Sequence, residues 1–451
     1  MSVKSTFVAH DACAGESVIV MYDIDMQKAV EYIYDIPKIN RKSTPDNTKE
    51  MLGRLGAECS DIPVIHVAGT NGKGSVCSYI ESVLRHAGFE TGLFTSPHLV
   101  TVNERIAING VPVSDEELLD AFARVKDISA GMVKDGFVHP SFFEFLFGMG
   151  MCVFAEKRPD YIILETGLGG RLDATNVVEK PAVTVITSIG LDHTDILGDT
   201  YEQIASEKAG IIKERVPVVF ENKRPDVTSV IERKAFEKNA PLYVLNPEDI
   251  RDVTYRDKKI DFLLDNQYYS NMRVTLDTMA SYQTENAALA LLALKVLGVG
   301  DEEAIRAGLY DMKWTGRMEE VIPGVIVDGA HNDDGIEHFI QSVSMYRSDG
   351  ERILLFSAVK DKHYQGMIKS LCECRLFDMV VIGQLGDARG LDAETMRKCF
   401  EDNGMSNVTA CDSVKEAYEY AVGMKGDGTV FAAGSLYFAG ELLEVIRGGL
   451  R

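Results

Sequence analysis

The stretch that decides the fold is Val67-Ala68-Gly69-Thr70-Asn71-Gly72-Lys73-Gly74-Ser75. The apolar run at residues 62–68 predicts a strand that leads into it, and residues 76–86 predict the helix that follows. Glycines between a strand and a helix let backbone N–H groups turn toward an anion, and the helix N-terminus adds positive potential. The stretch therefore predicts a loop that binds the phosphates of a nucleotide.

The spacing of this loop departs from the usual G-x-x-x-x-G-K-[ST] pattern. Val67 stands where the first glycine belongs, and Gly74 separates Lys73 from Ser75. A plain glycine-rich turn is the alternative interpretation. The phosphate loop is favoured because a lysine and a hydroxyl close the loop where the helix begins.

The composition describes a soluble globular protein of more than one domain. The chain has 451 residues, of which 45% are hydrophobic and 26% charged, and we expect two or three domains. The net charge of −22 argues against binding to nucleic acid or to an anionic membrane. The longest apolar runs, such as residues 353–356, are too short to cross a bilayer. A polyanionic ligand must therefore be held by local basic groups, backbone N–H groups and metal ions.

The cysteines and the N-terminal residues indicate in which cellular compartment the protein is expected. The eight cysteines form no C-x-x-C pair, so we expect reduced thiols and a cytoplasmic protein. The N-terminus has no apolar signal core, and its small polar residues predict that residues 1–20 are a disordered extension.

Strands alternate with helices along most of the chain, which predicts an α/β fold. We expect an N-terminal P-loop ATPase domain with a mostly parallel sheet at residues 21–315. A smaller, Rossmann-like C-terminal domain follows at residues 316–451, and the boundary lies near Trp314 and Arg317. Residues 242–274 alternate in polarity and predict an antiparallel flap.

Polar residues follow several predicted strands, where open α/β sheets place their ligand sites. Glu165 comes directly after the strand at residues 161–164, and such a carboxylate can bind magnesium. A glycine-rich surface turn would not explain the Arg171 and Asp173 that come after it. Ser96 could also bind a metal, although the short motif around it favours a simple strand-terminating turn.

His193 ends another strand and is flanked by Asp192 and Asp195, which suggests a metal ligand with Asp192 as its orienting partner. Lys208 lies in an apolar helical context, where a lowered pKa would let it react with CO₂. An exposed helix lysine is the alternative. In the second domain Asp328 could accept the ribose hydroxyls, and His331 could contact a phosphate.

Six motifs occur in the order found in one known family. They are AGTNGKGS (residues 68–75), SPHL (96–99), LGGRLDATN (168–176), LDHTD (191–195), EKAG (207–210) and DGAHN (328–332). Together they resemble folylpolyglutamate synthase and dihydrofolate synthase, of the Mur ligase superfamily. Each motif is weak alone, and six in order are specific.

The resemblance implies an ATP-dependent amide ligase that adds L-glutamate to a folate, and possibly to dihydropteroate, through an acyl phosphate. It also implies two magnesium ions, one on Ser96 and Glu165 and one on His193, with a carbamylated Lys208 nearby. Lys73, Lys208 and His331 match its catalytic positions. The residues that match its nucleotide contacts are Thr70, Asn71, Gly72, Lys73, Gly74, Ser75, Asn286, Arg317 and Asp328. Those that match its pterin-side pocket are Ser141, Phe142, Phe143, Glu144, Leu172, Asp173 and Ala174.

Two positions depart from the family pattern. Asp333 stands where the family usually has proline after Ala-His-Asn, and residues 361–363 read Asp-Lys-His where the family has Asp-Lys-Asp. Neither position belongs to the proposed catalytic residues, and the second affects the expected contact between the domains.

Two other functions fit parts of the sequence. A Mur-type ligase acting on another carboxylate would carry a UDP-binding domain before the phosphate loop, and residues 1–61 leave little room for one. A P-loop NTPase without ligase activity would not need Asp328 and His331. We expect small-molecule substrates, a monomer, and no nucleic-acid or membrane partner.

Overall fold

The structure is a computed structural model that describes residues 5–10, 17–22, 25–38, 44–347 and 350–449. It begins with an antiparallel hairpin of β1 (Ser5–His10) and β2 (Ser17–Tyr22). The expectation that residues 1–20 are disordered is therefore wrong for the residues in these strands. The remainder of that segment lies outside the described residues. The expectation gave weight to small polar residues and overlooked the run Val18-Ile19-Val20, whose β-branched side chains favour strands.

The large sheet of the N-terminal domain confirms the predicted α/β class. Its strands are β3 (Val64–Ala68), β4 (Thr91–Phe94), β5 (Ile106–Ile108), β6 (Val111–Pro112), β7 (Tyr161–Glu165), β8 (Val183–Ile186), β9 (Val218–Glu221) and β10 (Leu242–Leu245). Within the described part of the chain, the order across the sheet is β10-β9-β8-β3-β7-β4-β5-β6. Pairing is parallel from β10 to β4, and the β5–β6 hairpin adds an antiparallel edge.

Helices cover both faces of this sheet. They are α1 (Met26–Asp35), α2 (Pro45–Leu55), α3 (Lys73–His86), α4 (Asp115–Lys134), α5 (Phe142–Lys157), α6 (Thr194–Leu197), α7 (Tyr201–Lys208), α8 (Pro225–Glu237), α9 (Gln283–Val296) and α10 (Glu302–Asp311). One apolar cluster joins the strands to α3 and α9, and another joins them to α2, α4 and α5. Burial on both faces explains why every residue of β3 is buried.

The predicted flap at residues 242–274 is correct only in part. Strands β11 (Ile250–Arg256), β12 (Lys259–Leu264) and β13 (Met272–Leu276) form an antiparallel sheet. Leu242–Leu245, however, is strand β10 of the large sheet and runs parallel to β9. A short apolar run does not reveal which sheet it joins. The crossover that parallel pairing requires is supplied by α8, which the sequence analysis did not predict.

The C-terminal domain has its own sheet, in agreement with the predicted two-domain α/β architecture. Its strands are β14 (Glu319–Ile322), β15 (Val325–Val327), β16 (Arg352–Phe356), β17 (Met379–Gly383), β18 (Val408–Cys411) and β19 (Thr429–Ala433). In the described residues the order is β14-β15-β19-β16-β17-β18, with only the β14–β15 pair antiparallel.

Helices also pack on both faces of this second sheet. They are α11 (Asp333–Met345), α12 (Tyr364–Glu373), α13 (Ala393–Asp402), α14 (Val414–Met424) and α15 (Leu436–Gly449). No helix of either domain, over the ranges that the structure describes, is long and apolar enough to cross a membrane.

Substitution by alanine should have opposite effects on stability at two glycines that lie in helices. A Cβ atom at Gly308 in α10 would lie 2.5 Å from the Val83 Cα atom of α3, and backbone cannot move aside easily. We expect Gly308→Ala to lower the free energy of unfolding by about 1–3 kcal/mol. An added Cβ atom at Gly53 in α2 would have nothing within 4 Å, so Gly53→Ala should raise the free energy of unfolding by about 0.5–1 kcal/mol. Urea denaturation of both variants measures these changes. Equal effects would contradict the close contact between Gly308 and Val83.

Candidate active site

A cavity of about 270 Å³ lies between the two domains, at the carboxyl ends of β3, β7, β8 and β15. It brings together the predicted phosphate, nucleotide, metal and catalytic residues. Those in its lining are Thr70, Asn71, Gly72, Lys73, Gly74, Ser75, Ser96, Glu165, His193, Lys208, Asn286, Arg317, Asp328 and His331. The sheet topology explains this convergence, because parallel strands deliver their ends to one edge.

Close contacts leave no room for a side chain at two positions of the phosphate loop, Gly72 and Gly74. Gly72 has φ 86°, and a Cβ atom there would lie 2.3 Å from the Asn286 Oδ1 atom. Gly74 faces the Trp314 ring, whose nearest atom would be 2.7 Å from an added Cβ. The extra glycine between Lys73 and Ser75 thus lets the start of α3 pack directly against Trp314.

A lysine and a carboxylate face each other beside the loop. The Lys73 Nζ atom donates to the Thr70 carbonyl at 3.0 Å and lies 3.9 Å from Glu165 Oε1. The other oxygen of Glu165 accepts the Ser96 N–H at 2.9 Å. Burial raises the pKa of the Glu165 carboxyl, and the Lys73 ammonium opposes that shift. The predicted magnesium ligands Ser96 and Glu165 are therefore adjacent.

Lys208 is buried, which rules out the alternative of an exposed helix lysine. Its side chain reaches across the base of the phosphate loop, where Nζ donates to the Gly69 carbonyl at 2.6 Å. Burial, and next the Lys73 ammonium, lower the pKa of Lys208 to about 7. Near neutral pH a large share of this amine is therefore uncharged, and the uncharged amine is the form that can react with CO₂.

Asp192 connects the two domains. Its Oδ1 atom accepts from Lys362 Nζ at 2.5 Å, and its Oδ2 atom accepts from Asn332 Nδ2 at 3.1 Å. His331 lies 3.7 Å from the same Oδ2 atom. Burial alone would raise the pKa of Asp192, but the Lys362 ammonium and the neighbouring histidines outweigh it and hold that pKa well below its ordinary value.

The expected pairing of Asp192 with the His193 ring is not observed. The closest approach of the carboxylate to the ring is 4.0 Å, beyond hydrogen-bond distance, and Asp192 instead accepts the His193 backbone N–H at 2.8 Å. The His193 side chain is about half exposed (49%) and lines the cavity. Its ring is available to a ligand, but Asp192 does not orient it.

Side chains from α9 and from the loop before it complete the nucleotide end of the cavity. The Tyr282 hydroxyl and the Met318 N–H both donate to Asp328 Oδ2, at 2.7 and 2.9 Å. Gln283 donates to the Ser75 hydroxyl at 3.2 Å and accepts from Asn286 at 2.9 Å. Sequence reasoning did not identify Tyr282, Gln283, Asn332 or Lys362. Tyr282 and Gln283 are polar residues close to Asn286 in the sequence, and Asn332 and Lys362 lie within the DGAHN and Asp-Lys-His motifs. These positions were the available signals.

The predicted pterin-side residues lie beside the cavity rather than in its lining. Ser141 and Glu144 form the capping box of α5, and the Phe143 ring packs against Gly167 of the cavity wall. Leu172 is exposed, while Asp173 and Ala174 are buried. Phe142 packs against Tyr34 of α1, with ring centroids 6.0 Å apart. These residues thus form two neighbouring groups, one at the start of α5 and one in the loop after β7.

The two departures from the family pattern contact each other. His363 Nδ1 lies 2.7 Å from Asp333 Oδ2, and each is adjacent in sequence to a residue of the Asp192 network. The expected difference at the contact between the domains is thus an added contact between two side chains of the second domain.

Two family models match the chain. The model described as "Mur ligase middle domain" matches residues 150–294, and the one described as "Mur ligase, glutamate ligase domain" matches residues 316–436. The dihydrofolate synthase/folylpolyglutamate synthase of Bacillus subtilis (strain 168) is 36% identical over 433 residues. That alignment covers 93% of this chain and 99% of the relative. The chain belongs to the dihydrofolate synthase/folylpolyglutamate synthase family of the Mur ligase superfamily.

Solved structures agree with this assignment. Escherichia coli FolC in complex with DHPP and ADP has a TM-score of 0.82 at 30% identity, and the match covers 94% of this chain and 98% of that one. Mycobacterium tuberculosis folylpolyglutamate synthase with ADP and AMPPCP has a TM-score of 0.84 at 27% identity, covering 94% and 99%. The protein is thus an ATP-dependent ligase of this family. The alternatives of another Mur-type ligase and of a plain NTPase are not favoured.

The lowered pKa of Lys208 predicts a pH-dependent stability. Between about pH 7 and the ordinary lysine pKa near 10.4, the unfolded chain binds a proton that the folded chain does not, so stability rises with pH. Relative to Lys208→Met, the wild type should gain up to about 1.4 kcal/mol per pH unit in that window. Denaturation in CO₂-free buffer at several pH values measures it.

Lys234→Met, at a partly exposed lysine of α8, serves as the control and should show a nearly constant difference from wild type. A constant difference for Lys208→Met as well would mean that Lys208 is charged in the folded protein throughout this range.

Proposed function

We propose that the protein joins L-glutamate to the carboxylate of a reduced folate, using ATP, and that it also accepts dihydropteroate. The observation that carries the proposal is the single cavity in which the phosphate loop, Glu165 and Lys208 of one domain face His331 of the other. The Bacillus subtilis relative supports it, since its name combines both synthase activities.

In the proposed reaction the acceptor carboxylate attacks the γ-phosphoryl group of ATP, which forms an acyl phosphate and releases ADP. The glutamate amine then attacks the acyl carbon, the C–O bond to phosphate breaks, and the amine loses a proton. Backbone N–H groups at the start of α3 and the Lys73 ammonium would hold the phosphates and neutralise developing charge. Catalysis then consists mainly of positioning.

Water must be excluded while the acyl phosphate exists. The Asp192 carboxylate takes hydrogen bonds from Lys362 and Asn332 and so holds the second domain against the phosphate loop. Asn71 of the loop adds a third link, because its Nδ2 atom donates to Asp334 at 2.8 Å. Burial, and then the Lys362 ammonium, lower the pKa of His331 to about 4, so its ring is neutral at pH 7. In that form the ring can accept as well as donate a hydrogen bond.

The residues present fit magnesium. Within the described ranges no group of three His, Cys, Asp or Glu side chains converges into a protein-only metal site. Magnesium commonly uses one or two protein oxygens together with phosphate oxygens and water, and a buried Glu165 beside Ser96 matches that donor set. Ser96 and Glu165 would hold one ion, and His193 with a carbamylated Lys208 a second. The ions would neutralise charge on the phosphate oxygens.

The direct test weighs the products. The protein is incubated with ATP, magnesium and L-glutamate, and either dihydropteroate or tetrahydrofolate. We expect each acceptor to gain the mass of glutamate residues, with little ATP hydrolysis until acceptor and glutamate are both present. Lys73→Ala should abolish product formation. ATP turnover without a heavier product would overturn the proposal, and product from one acceptor only would limit it to that activity.

Carbamylation of Lys208 makes a separate prediction. Lys208→Ala removes the carboxylate that the modification would supply, so we expect kcat to fall about 10²–10³-fold, with partial recovery on adding formate or acetate. Lys234→Ala, at a partly exposed lysine of α8, is the control and should neither lose activity nor respond to added carboxylate. A fully active Lys208→Ala variant would contradict the assignment, and loss without rescue would leave Lys208 with a different role.

A further inference from the structure

A buried chain of hydrogen bonds joins the strand before the phosphate loop to the loop after β7. His66 of β3 is 0% exposed, and its Nε2 atom lies 2.8 Å from the Thr175 hydroxyl. That hydroxyl donates to Asp173 Oδ1 at 2.6 Å. Neither His66 nor Thr175 lines the cavity, and the reaction described above uses neither of them.

The proton positions in this chain follow from the donor inventory. Thr175 has one hydroxyl proton, and the shortest contact of its hydroxyl is to the Asp173 carboxylate. Burial raises the pKa of Asp173, but the hydrogen bonds that it accepts from Thr175 and Leu168 oppose that shift and favour the ionised form, which has no proton to give. The hydroxyl oxygen must then accept from His66, so the proton of the neutral ring is on Nε2. The Nδ1 atom is buried without a hydrogen-bond partner among the described residues. Burial, and then Lys213, lower the pKa of His66 to about 3, in agreement with a neutral ring.

Asp173 closes the glycine-rich loop after β7 on itself. Its Oδ1 atom also accepts the Thr175 backbone N–H at 3.0 Å, and its Oδ2 atom accepts the Leu168 N–H at 2.8 Å. Gly167, Leu168 and Gly169 line the cavity directly after Glu165. The carboxylate therefore holds both ends of the loop, and its oxygens are already engaged with the protein.

A histidine is not the side chain that stability alone would select at position 66. An apolar side chain of similar size would leave no buried ring nitrogen unpartnered. His66 supplies a hydrogen-bond donor to the Thr175 hydroxyl. It also lies in β3, which continues within three residues into the phosphate loop. The chain of contacts thus fixes the phosphate loop and the glycine-rich loop relative to each other.

We infer that His66 is a positioning residue: through Thr175 and Asp173 it sets the glycine-rich loop against the phosphate loop, where the acceptor carboxylate meets ATP. The kinetic part of this inference rests on the proposed function. The hydrogen-bond arrangement does not, so the two can fail separately.

The test combines variants of His66 and Thr175. We expect His66→Leu and Thr175→Val each to lower kcat/KM for the folate acceptor about tenfold, and the double variant to lose no more than either alone, because one chain is broken in all three. His66→Gln, whose amide N–H can replace the Nε2 donor, should recover most of the activity. Thr184→Val removes another buried hydroxyl, bonded to the Pro217 carbonyl at 3.2 Å, and should stay near wild type.

Nitrogen-15 NMR of the wild-type imidazole rings tests the arrangement without the reaction. The His66 signals are identified by their absence from the His66→Gln spectrum, and we expect them to report a neutral ring protonated on Nε2 and unchanged from pH 6 to 8. For the signals assigned to His66, an Nδ1–H ring or titration in that range would overturn the inference, and so would additive losses in the double variant. If His66→Leu does not fold, the activity of His66→Gln and the NMR spectrum still test the inference about His66. Should the wild type make no product, the proposed function fails and the NMR result stands alone.

Discussion

The contact that the rest of the site depends on is the hydrogen bonding of Asp192 to Lys362 and Asn332. Each domain has its own sheet and its own apolar core, and Ala280 of the first domain packs into the core of the second. Removing one partner of a buried ion pair typically costs about 3–5 kcal/mol, which is enough to change the balance between open and closed arrangements. This pair, together with the hydrogen bond from Asn71 to Asp334, brings the strand ends of both domains together at the cavity.

The lining of the cavity carries both positive and negative side chains. Lys73, Lys208 and Arg317 line it together with Glu165, Asp192 and Asp328, while the chain as a whole carries a net charge of −22. Burial, and next the neighbouring Lys73 ammonium, lower the pKa of Lys208. An anion bound beside the two lysines would reduce the repulsion between them. Selectivity for a polyanion is therefore local and does not depend on the overall field of the protein.

The sequence was informative where one segment carries both the structure and the chemistry. The phosphate loop, the carboxylate at the end of β7 and the buried Lys208 could each be predicted, because a strand, a turn and a polar residue follow one another directly. The Asp192–Lys362 contact could not be predicted, since 170 positions separate its partners. Helix α8 was missed, and with it the parallel pairing of β10, because a run such as Leu242–Leu245 has no periodicity that identifies its neighbours. The actual position of the Ser141 and Asp173 groups depends on how α5 packs, which local patterns do not contain.

The contact between Asp333 and His363 has a consequence for work with relatives. Asp333 is the first residue of α11, His363 directly precedes α12, and the two lie on either side of β16 in the chain. A chimera that exchanges only one of these segments with a relative would place a lone aspartate or a lone histidine beside the link between the domains. Exchanges that keep the segment from β15 to α12 intact preserve the pair, and crossover points for hybrid enzymes are best placed outside it.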